Sequence, residues 1–232
     1  MVDKIKWELT PVADFRSAYK PFITESSDWH TYNNISYNLL YLEFLTNVIN
    51  RSEIINSALI AMIYKDFIIY SMAIVEAIFA NIIKGKNMWP ESEWKSIGVQ
   101  KIDNNKELKL GDNKIKIQSE VFEKVPPYKE DMTLDAMIKK AESKKILNLS
   151  EQSYKLLSYF RKKRNKIHIY KVDDGFTDYN SFNEKDYIMM KSLLDEILTN
   201  DEIYVKNTYN PYEFLKLSAE EKQILKQKLS EF

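Results

Sequence analysis

The chain has 232 residues, of which 44% are hydrophobic and 13% aromatic, and its 34 basic residues balance its 34 acidic ones. This length and composition predict one domain with an insertion, or two closely fused units, and exclude two large independent domains. The zero formal charge excludes a general affinity for nucleic acids or membranes through net charge. The absence of cysteine excludes disulfides and thiolate metal sites and fits a reducing compartment.

The N-terminal sequence predicts neither export nor a membrane anchor. Residues 1–8 include acidic side chains and no apolar core, unlike a secretory signal, so we expect a cytoplasmic protein. The most hydrophobic stretch, 54–83, is interrupted by three charged residues, among them Glu76. It therefore predicts a core helix and no membrane span.

The first helix is expected only after an irregular segment. Residues 1–32 show weak periodicity and contain two prolines, which interrupt any long helix. His30, one of the two histidines, lies in this segment and is assigned a surface or packing role. From about Asn33 to Asn50, apolar residues recur at three- and four-residue steps and predict an amphipathic helix.

A second helix of about thirty residues is predicted to follow, apolar on much of its circumference. Ser52 is its predicted N-cap, and Gly85 is expected to end it. A helix that is apolar on most sides must be surrounded by other elements, so we expect it to be the central helix of a bundle.

The pattern changes from helical to strand-like between about 88 and 128. Residues 106–110 and 114–118 alternate polar and apolar side chains, and the Gly-Asp-Asn at 111–113 supplies a turn. A short β-hairpin is predicted here as an insertion between helices. The two prolines at 126–127 are expected to close the insertion.

Two helices are predicted directly after the insertion. Thr133 is expected to cap one that runs to about Leu147. Ser150 is expected to cap the next, which should reach at least His168. Because this second helix and the long apolar helix each have a continuous apolar stripe, we expect them to pack against each other.

The C-terminal part is predicted to add two more helices. Asn183 or Ser181 is expected to cap the first, and the Ser218 to Glu221 capping box to open the last. The predicted fold class is therefore all-α, a helical bundle with a small β-hairpin insertion. Its parts are the irregular segment 1–32, the bundle 33–200 with its insertion at about 88–128, and a helical tail at 201–232.

The helix after Ser150 carries the residues with the clearest chemistry. At about 100° per residue, Arg161, Arg164 and His168 fall within roughly 60° of one another and share one stripe. Guanidinium groups can hold a phosphate, and an imidazole that titrates near neutral pH can accept a proton. Phosphodiester cleavage without a metal requires this combination.

This stretch resembles the motif of the HEPN superfamily (higher eukaryotes and prokaryotes nucleotide-binding domains). In that family an Arg and a His separated by four to six residues form the active site of metal-independent ribonucleases. Six residues separate Arg161 from His168, which meets the spacing. Only three separate Arg164 from His168, but Arg164 is followed by Asn165, a polar neighbour of the kind that the family prefers. The two criteria favour different arginines, so both stay candidates.

The resemblance covers about residues 33–200 and has further implications. The ending His168-Ile169-Tyr170 is similar to the His-x-Tyr ending of HEPN toxins that are paired with a nucleotidyltransferase antitoxin. The family therefore implies a toxin–antitoxin or phage-defence setting, RNA as substrate, and an antitoxin or other protein partner. It also implies a homodimer through the motif helix, because the family's cleft lies between two copies of that helix.

The resemblance implies a role for each residue of the motif. His168 would be the general base that accepts the proton of a ribose 2′-hydroxyl, leaving a 2′,3′-cyclic phosphate. Arg161 and Arg164 would stabilise the charge on the phosphate, and Asn165 would orient the substrate or the imidazole. The residues assigned to substrate contact are Lys162, Lys166 and Tyr170.

Simpler interpretations remain open. A basic run on one helix is typical of a solvated face, with a His near the C-terminal dipole. Glu76, alone among apolar neighbours, is expected to meet Arg161 or Arg164, either in a structural ion pair or as a carboxylate that positions a catalytic Arg. The alternative function is a catalytically silent HEPN-like module that binds RNA, a nucleotide or a partner protein.

Neither a metal nor a cofactor is expected from the sequence. It contains no cluster of His, Asp and Glu with metal-ligand spacing and no Gly-rich phosphate-binding loop.

Overall fold

The computed structural model describes residues 7–19, 26–51, 56–101, 108–110, 113–115, 118–165, 177–206 and 209–230. The chain divides into a helical unit, Met1–Asn87 with Thr133–Phe232, and a β unit, Met88–Met132. The predicted all-α fold with a β-hairpin insertion is confirmed.

The helices of the described residues all belong to the helical unit. They are α1 (Val12–Ser17), α2 (Ser26–Arg51), α3 (Ser57–Gly85), α4 (Leu134–Ser143), α5 (Glu151–Arg164), α6 (Asp178–Ser181), α7 (Glu184–Leu198) and α8 (Ala219–Leu229). A short 3-10 turn at Glu213–Leu215 precedes α8.

Helix α3 is the centre of the helical unit, as predicted. It contacts α2, α4, α5, α6 and α7. Its side chains Phe67, Ile68, Met72 and Ile78 are completely buried, and each such side chain stabilises the fold by about 1.5–3 kcal/mol relative to an exposed one. The contact between α5 and α3 confirms the predicted packing of the motif helix against the long apolar helix.

The length and composition of α3 also meet the criteria for a membrane span, with a mean hydropathy of 1.8 over its most apolar window. Its three charged residues therefore do not exclude a membrane span by hydropathy, contrary to the expectation from sequence. The core helix of a soluble protein meets the same criteria, and α3 packs against five other helices of its unit.

Helix α3 begins later than predicted. Its N-cap is Asn56, whose Oδ1 accepts from the backbone N–H groups of Ala58 and Leu59 at 3.0 and 3.2 Å. The predicted N-cap, Ser52, lies outside the described residues. The predicted end at Gly85 is confirmed.

The N-terminal segment is more regular than predicted. Helix α1 forms directly after Pro11, and α2 begins at Ser26, so His30 lies on a helix, with its side chain exposed. The prediction of an irregular 1–32 is wrong because tertiary contacts, which periodicity does not register, fix α1. Phe15 is completely buried and packs against the ring of Tyr212.

A buried carboxylate holds the chain that enters α1. Glu43 of α2 accepts the backbone N–H of Thr10 at 2.8 Å and its hydroxyl at 2.9 Å. Both residues are buried, so the two hydrogen bonds satisfy groups that would otherwise be costly to bury.

The predicted caps of four helices are confirmed. Each cap side chain accepts a backbone N–H in the first turn of its helix, and the caps are Thr133 (α4), Ser150 (α5), Asn183 (α7) and Ser218 (α8). Of the two predicted alternatives for α7, the structure has Asn183.

Helix α4 ends earlier than predicted, at Ser143 instead of about Leu147. Lys145 takes a left-handed backbone conformation with φ of 49°, which a continuing helix excludes. Ile146 and Leu147 are nevertheless buried, so the apolar pattern continues past the end of the helix. That continuation is why the sequence overestimates its length.

None of the side chains of helix α8 is fully buried, and an ion pair and a capping box fix its first turn. The Glu221 carboxylate accepts the Ser218 N–H at 2.7 Å, which completes the predicted capping box. It also pairs with Lys191 of α7 at 2.9 Å, and the Lys191 side chain is only 3% exposed.

The β unit contains strands β1 (Glu91–Lys101), β2 (Leu108–Leu110), β3 (Asn113–Ile115) and β4 (Gln118–Lys129). Strands β2 and β3 pair in antiparallel fashion, Leu108 opposite Ile115, at the position of the predicted hairpin. The central residues of the predicted turn, 111–112, lie outside the described residues. The longer antiparallel pair of β1 with β4 was not predicted.

The two prolines at 126–127 do not close the insertion but lie inside β4. The register shifts there, because Ser92 faces Tyr128 while Trp94 faces Lys124. Proline cannot donate a ladder hydrogen bond and is tolerated in a strand at such an irregularity. A second shift between Ser96 and Gly98 also breaks the alternation in β1, so the sequence shows no clear strand pattern.

Candidate functional site: the last turn of α5

The motif helix, α5, packs its apolar side in the core and carries basic residues in its last turn. Leu156, Leu157 and Phe160 are buried, and Leu157 and Phe160 are completely so. The helix ends at Arg164, and the backbone N–H of Asn165, its C-cap, bonds the Arg161 and Lys163 carbonyl oxygens. Basic residues in a last turn interact favourably with the helix dipole.

The predicted extension of the helix to His168 lies outside the described residues. The same is true of two further predicted site residues, Lys166 and Tyr170.

Arg164 pairs with the carboxylate that the sequence singled out. Its Nη2 lies 2.6 Å from Oε2 of Glu76 on α3, which agrees with the expectation that Glu76 meets one of the two arginines. The two side chains are 30% and 31% exposed, so the pair lies at the edge of the core. Glu76 thus fixes the direction of the Arg164 guanidinium and leaves part of it accessible.

Arg161 pairs with a different helix, through a residue that sequence reasoning missed. Its Nη2 lies 3.1 Å from Oδ1 of Asp135 in the first turn of α4, and its Nε is buried without a hydrogen-bond partner. Lys139 also binds Asp135, at 2.7 Å. The Lys139 hydrogen bond, followed by the charge of Arg161, lowers the pKa of Asp135. No feature of the sequence indicates that Asp135 faces α5.

Lys163, which was not among the predicted site residues, makes the most buried contact of the turn. Its Nζ donates to Oδ2 of Asp186 on α7 at 2.8 Å and to the Ser181 carbonyl oxygen. The side chain of Lys163 is 13% exposed and that of Asp186 only 2%. Tyr159 donates to the other Asp186 oxygen at 2.7 Å, and burial, together with this hydrogen bond, raises the pKa of Tyr159.

The remaining described residues of the motif are exposed. Lys162 and Asn165 both lie on the surface, and no described residue pairs with the Lys162 side chain. The structure therefore brings Arg161, Arg164 and Asn165 within about one turn of each other. It directs the two guanidinium groups toward different helices, α4 and α3.

An open cleft of about 480 Å³ lies beside the buried Asp186 pair. Its lining residues are Tyr159, Asn183, Glu184, Lys185, Asp186 and Lys228. The cleft combines two lysines with two carboxylates, so its walls do not carry one sign of charge. It lies on the Lys163 side of the turn, and neither arginine of the motif lines it.

The described residues show no arrangement suited to a metal ion, since no group of three or more His, Asp and Glu side chains lies together there. The partly exposed guanidinium groups of Arg161 and Arg164 are suited to binding an anion.

Comparison with known proteins finds no relative. No protein-family model, no curated protein and no solved structure matches the chain.

Proposed function

We propose that the chain is a HEPN-like, metal-independent RNA endonuclease that acts in the cytoplasm in a toxin or phage-defence setting. His168 is its general base, and Arg161 and Arg164 stabilise the phosphate. The observation that carries the proposal is the pairing of Arg164 with Glu76 at 2.6 Å. It gives a guanidinium a fixed direction at the surface, as transition-state stabilisation requires.

The proposed reaction needs one base and a fixed positive charge. The neutral imidazole of His168 accepts the proton of a ribose 2′-hydroxyl, and the 2′-oxygen attacks the adjacent phosphorus. The bond to the 5′-oxygen breaks, and that oxygen leaves with the electron pair and takes a proton from water. The products are a 2′,3′-cyclic phosphate and a 5′-hydroxyl.

Both arginines retain donors for a phosphate. A guanidinium has five N–H donors, and each ion pair engages Nη2. Arg164 is 30% exposed and Arg161 26% exposed, so a phosphate can reach both without unfolding of the helix. Arg164 is the better candidate for the catalytic Arg because its ion pair is the shorter one, 2.6 Å against 3.1 Å for Arg161, so its guanidinium is held more firmly.

In this proposal two chains pair through α5, so that two basic turns face one RNA. An antitoxin or other protein partner would cover the same surface. Sedimentation of the purified chain tests the pairing, and a monomer at micromolar concentration would contradict it.

One observation favours the second candidate, a silent module that binds RNA, a nucleotide or a protein. Arg161, Lys163 and Arg164 each have a carboxylate within 3.1 Å, at 3.1, 2.8 and 2.6 Å. A carboxylate cancels much of the field of a guanidinium, and a phosphate must compete with it. In this reading the pairs are structural and the surface only binds.

Cleavage of single-stranded RNA in the presence of a chelator separates the two candidates. Wild-type protein should leave 2′,3′-cyclic phosphate ends, and His168→Ala should abolish cleavage with little change in thermal midpoint. Lys155→Ala is the control, because Lys155 lies on the same helix and pairs with Glu151 one turn away. RNA binding without cleavage by the wild type would reject the endonuclease and favour the silent module.

A further inference from the structure

A second arginine lies in a different environment, at the contact of α1 with α2. Arg16 of α1 lies over the rings of Trp29 and Tyr37 of α2, with Cζ 5.4 and 5.9 Å from the two ring centroids. The rings are eight residues apart on one side of the helix and are 58% and 54% exposed. Two large aromatic side chains thus remain open to solvent on either side of a cation.

Arg16 differs from the arginines of α5 because no described residue forms an ion pair with it. Its Nε is buried without an acceptor among those residues. Asn33 lies midway between the two aromatic residues along α2, and its Oδ1 is also buried without a partner. Buried polar atoms without partners are rare in native proteins and require an explanation.

The chemistry of this patch (Arg16, Trp29 and Tyr37) fits a nucleotide. A guanidinium without a carboxylate partner is suited to a phosphate, and exposed aromatic faces are suited to unpaired bases. In a double helix the bases are already stacked, so the ligand must be single-stranded. Cation–π attraction to the two rings restrains the guanidinium, so little side-chain entropy is lost on binding.

We propose that Arg16, Trp29 and Tyr37 form a subsite for single-stranded RNA, with a phosphate on Arg16 and bases on the two rings. The inference rests on the proposed function only in taking RNA as the ligand. It does not require the chain to cleave RNA. It assigns binding of the strand to the α1–α2 surface, where no carboxylate of the described residues pairs with Arg16, and leaves the α5 turn to contact the reacting phosphate.

The first test is the binding of a fluorescently labelled 2′-O-methyl oligouridine of twelve nucleotides, in which a 2′-oxygen cannot attack. Trp29→Ala and Tyr37→Ala should each raise Kd by about 5-fold to 150-fold, the effect of removing one stacked base. Trp94→Ala is the matched control, since Trp94 is 54% exposed on β1 and has no role in the patch. It should leave Kd unchanged.

The second test separates the phosphate contact from stacking. Arg16→Gln should reduce the slope of log K against log salt by about 0.7, the value for one phosphate of a single strand. Arg16→Lys should restore that slope, and Trp29→Ala should leave it unchanged. Arg51→Gln removes a charge from the exposed end of α2 and is the matched control.

An abasic oligonucleotide of the same length gives a further check. It should bind with a Kd that no longer depends on Trp29 but still depends on Arg16. Circular dichroism of each variant establishes that it is folded, and Trp29→Phe, which keeps an aromatic face, should retain most of the binding.

The outcomes distinguish this inference from the proposed function. If binding depends on the patch and no RNA is cleaved, the subsite stands and the endonuclease fails. If RNA is cleaved and the patch variants bind as the wild type does, the endonuclease stands and the subsite is rejected. Loss of binding to a protein partner, with unchanged RNA binding in the same variants, also overturns the subsite and makes the patch a protein interface.

Discussion

The last turn of α5 makes one ion pair on its inner side, with α7, and another on its outer side, with α3. The two ion pairs differ in how deeply they are buried. On the inner side, Lys163 pairs with Asp186, whose side chain is 2% exposed. On the outer side, Arg164 pairs with Glu76, and both are about one-third exposed. Breaking a buried pair leaves an uncompensated charge, whereas water replaces a partner at an exposed pair.

The difference in burial gives Lys163 a structural role and leaves Arg164 available to bind an anion. The Lys163 pair joins α5 to α7 and cannot release its carboxylate without a large cost. The Arg164 pair orients its guanidinium and leaves other donors for a phosphate, and its loss costs little stability because water can replace either partner. Stability and the proposed RNA cleavage should therefore respond to different substitutions within a single turn.

The largest expected effect is on stability. Lys163→Met should lower the free energy of unfolding by about 3–5 kcal/mol, because Asp186 would stay buried without its cation. Urea unfolding measures the change. Lys155→Met is the control on the same helix, with a side chain that is 56% exposed, and should have little effect. A loss below about 1 kcal/mol for Lys163→Met would mean that water reaches Asp186 and that the two sides do not differ.

The next effect is on catalysis and depends on the proposed function. Arg164→Gln should lower kcat/KM for RNA cleavage by about 2–4 kcal/mol of transition-state stabilisation, with a change in stability of at most about 1 kcal/mol. Arg161→Gln is measured beside it, and the larger loss identifies the catalytic Arg. Equal losses of stability and activity in both variants would contradict the separation of the two sides.

A smaller effect is expected for the carboxylate on the outer side. Glu76→Gln keeps the shape of the side chain and removes its charge, so unfolding free energy should fall by at most about 1 kcal/mol. Cleavage should fall less than in Arg164→Gln, because the arginine remains but loses its fixed direction. Faster cleavage would show instead that Glu76 competes with the phosphate.

The smallest effect concerns the titration of Asp135. Its pKa is lowered, so its charged contacts stabilise the fold above its ordinary pKa, and this contribution is lost as the pH falls through the lowered value. Lys139→Gln should raise the pKa more than Arg161→Gln, since the Lys139 hydrogen bond is the main cause. NMR titration of the carboxyl carbon measures both shifts, and the reverse order would contradict the geometry.

Local signals explain which parts of the fold could be predicted. The caps Thr133, Ser150 and Ser218 depend on side chains that bond their own first turn, so the sequence locates them. The central position of α3 follows from its composition. The pairing of Glu76 was anticipated because a carboxylate among apolar neighbours needs a cation.

Contacts between distant segments explain what was missed. Asp135 and Asp186 meet α5 only through the packing of α4 and α7, which no spacing in the sequence encodes. Helix α1 depends on the burial of Phe15 against Tyr212. Arg16 is a candidate ligand-binding residue only because two rings of α2 lie beside it, which the sequence does not indicate. The β1–β4 pair was not predicted because its two register shifts interrupt the alternation of side chains.

The attachment of α8 has a consequence for how the fold opens. A helix of eleven residues with no buried side chain is marginal by itself, so α8 should open independently of the rest of the bundle. Its amides should exchange with solvent before those of α3. Each opening would leave the Lys191 ammonium without its counter-ion, and this cost limits how often the C-terminal end is released.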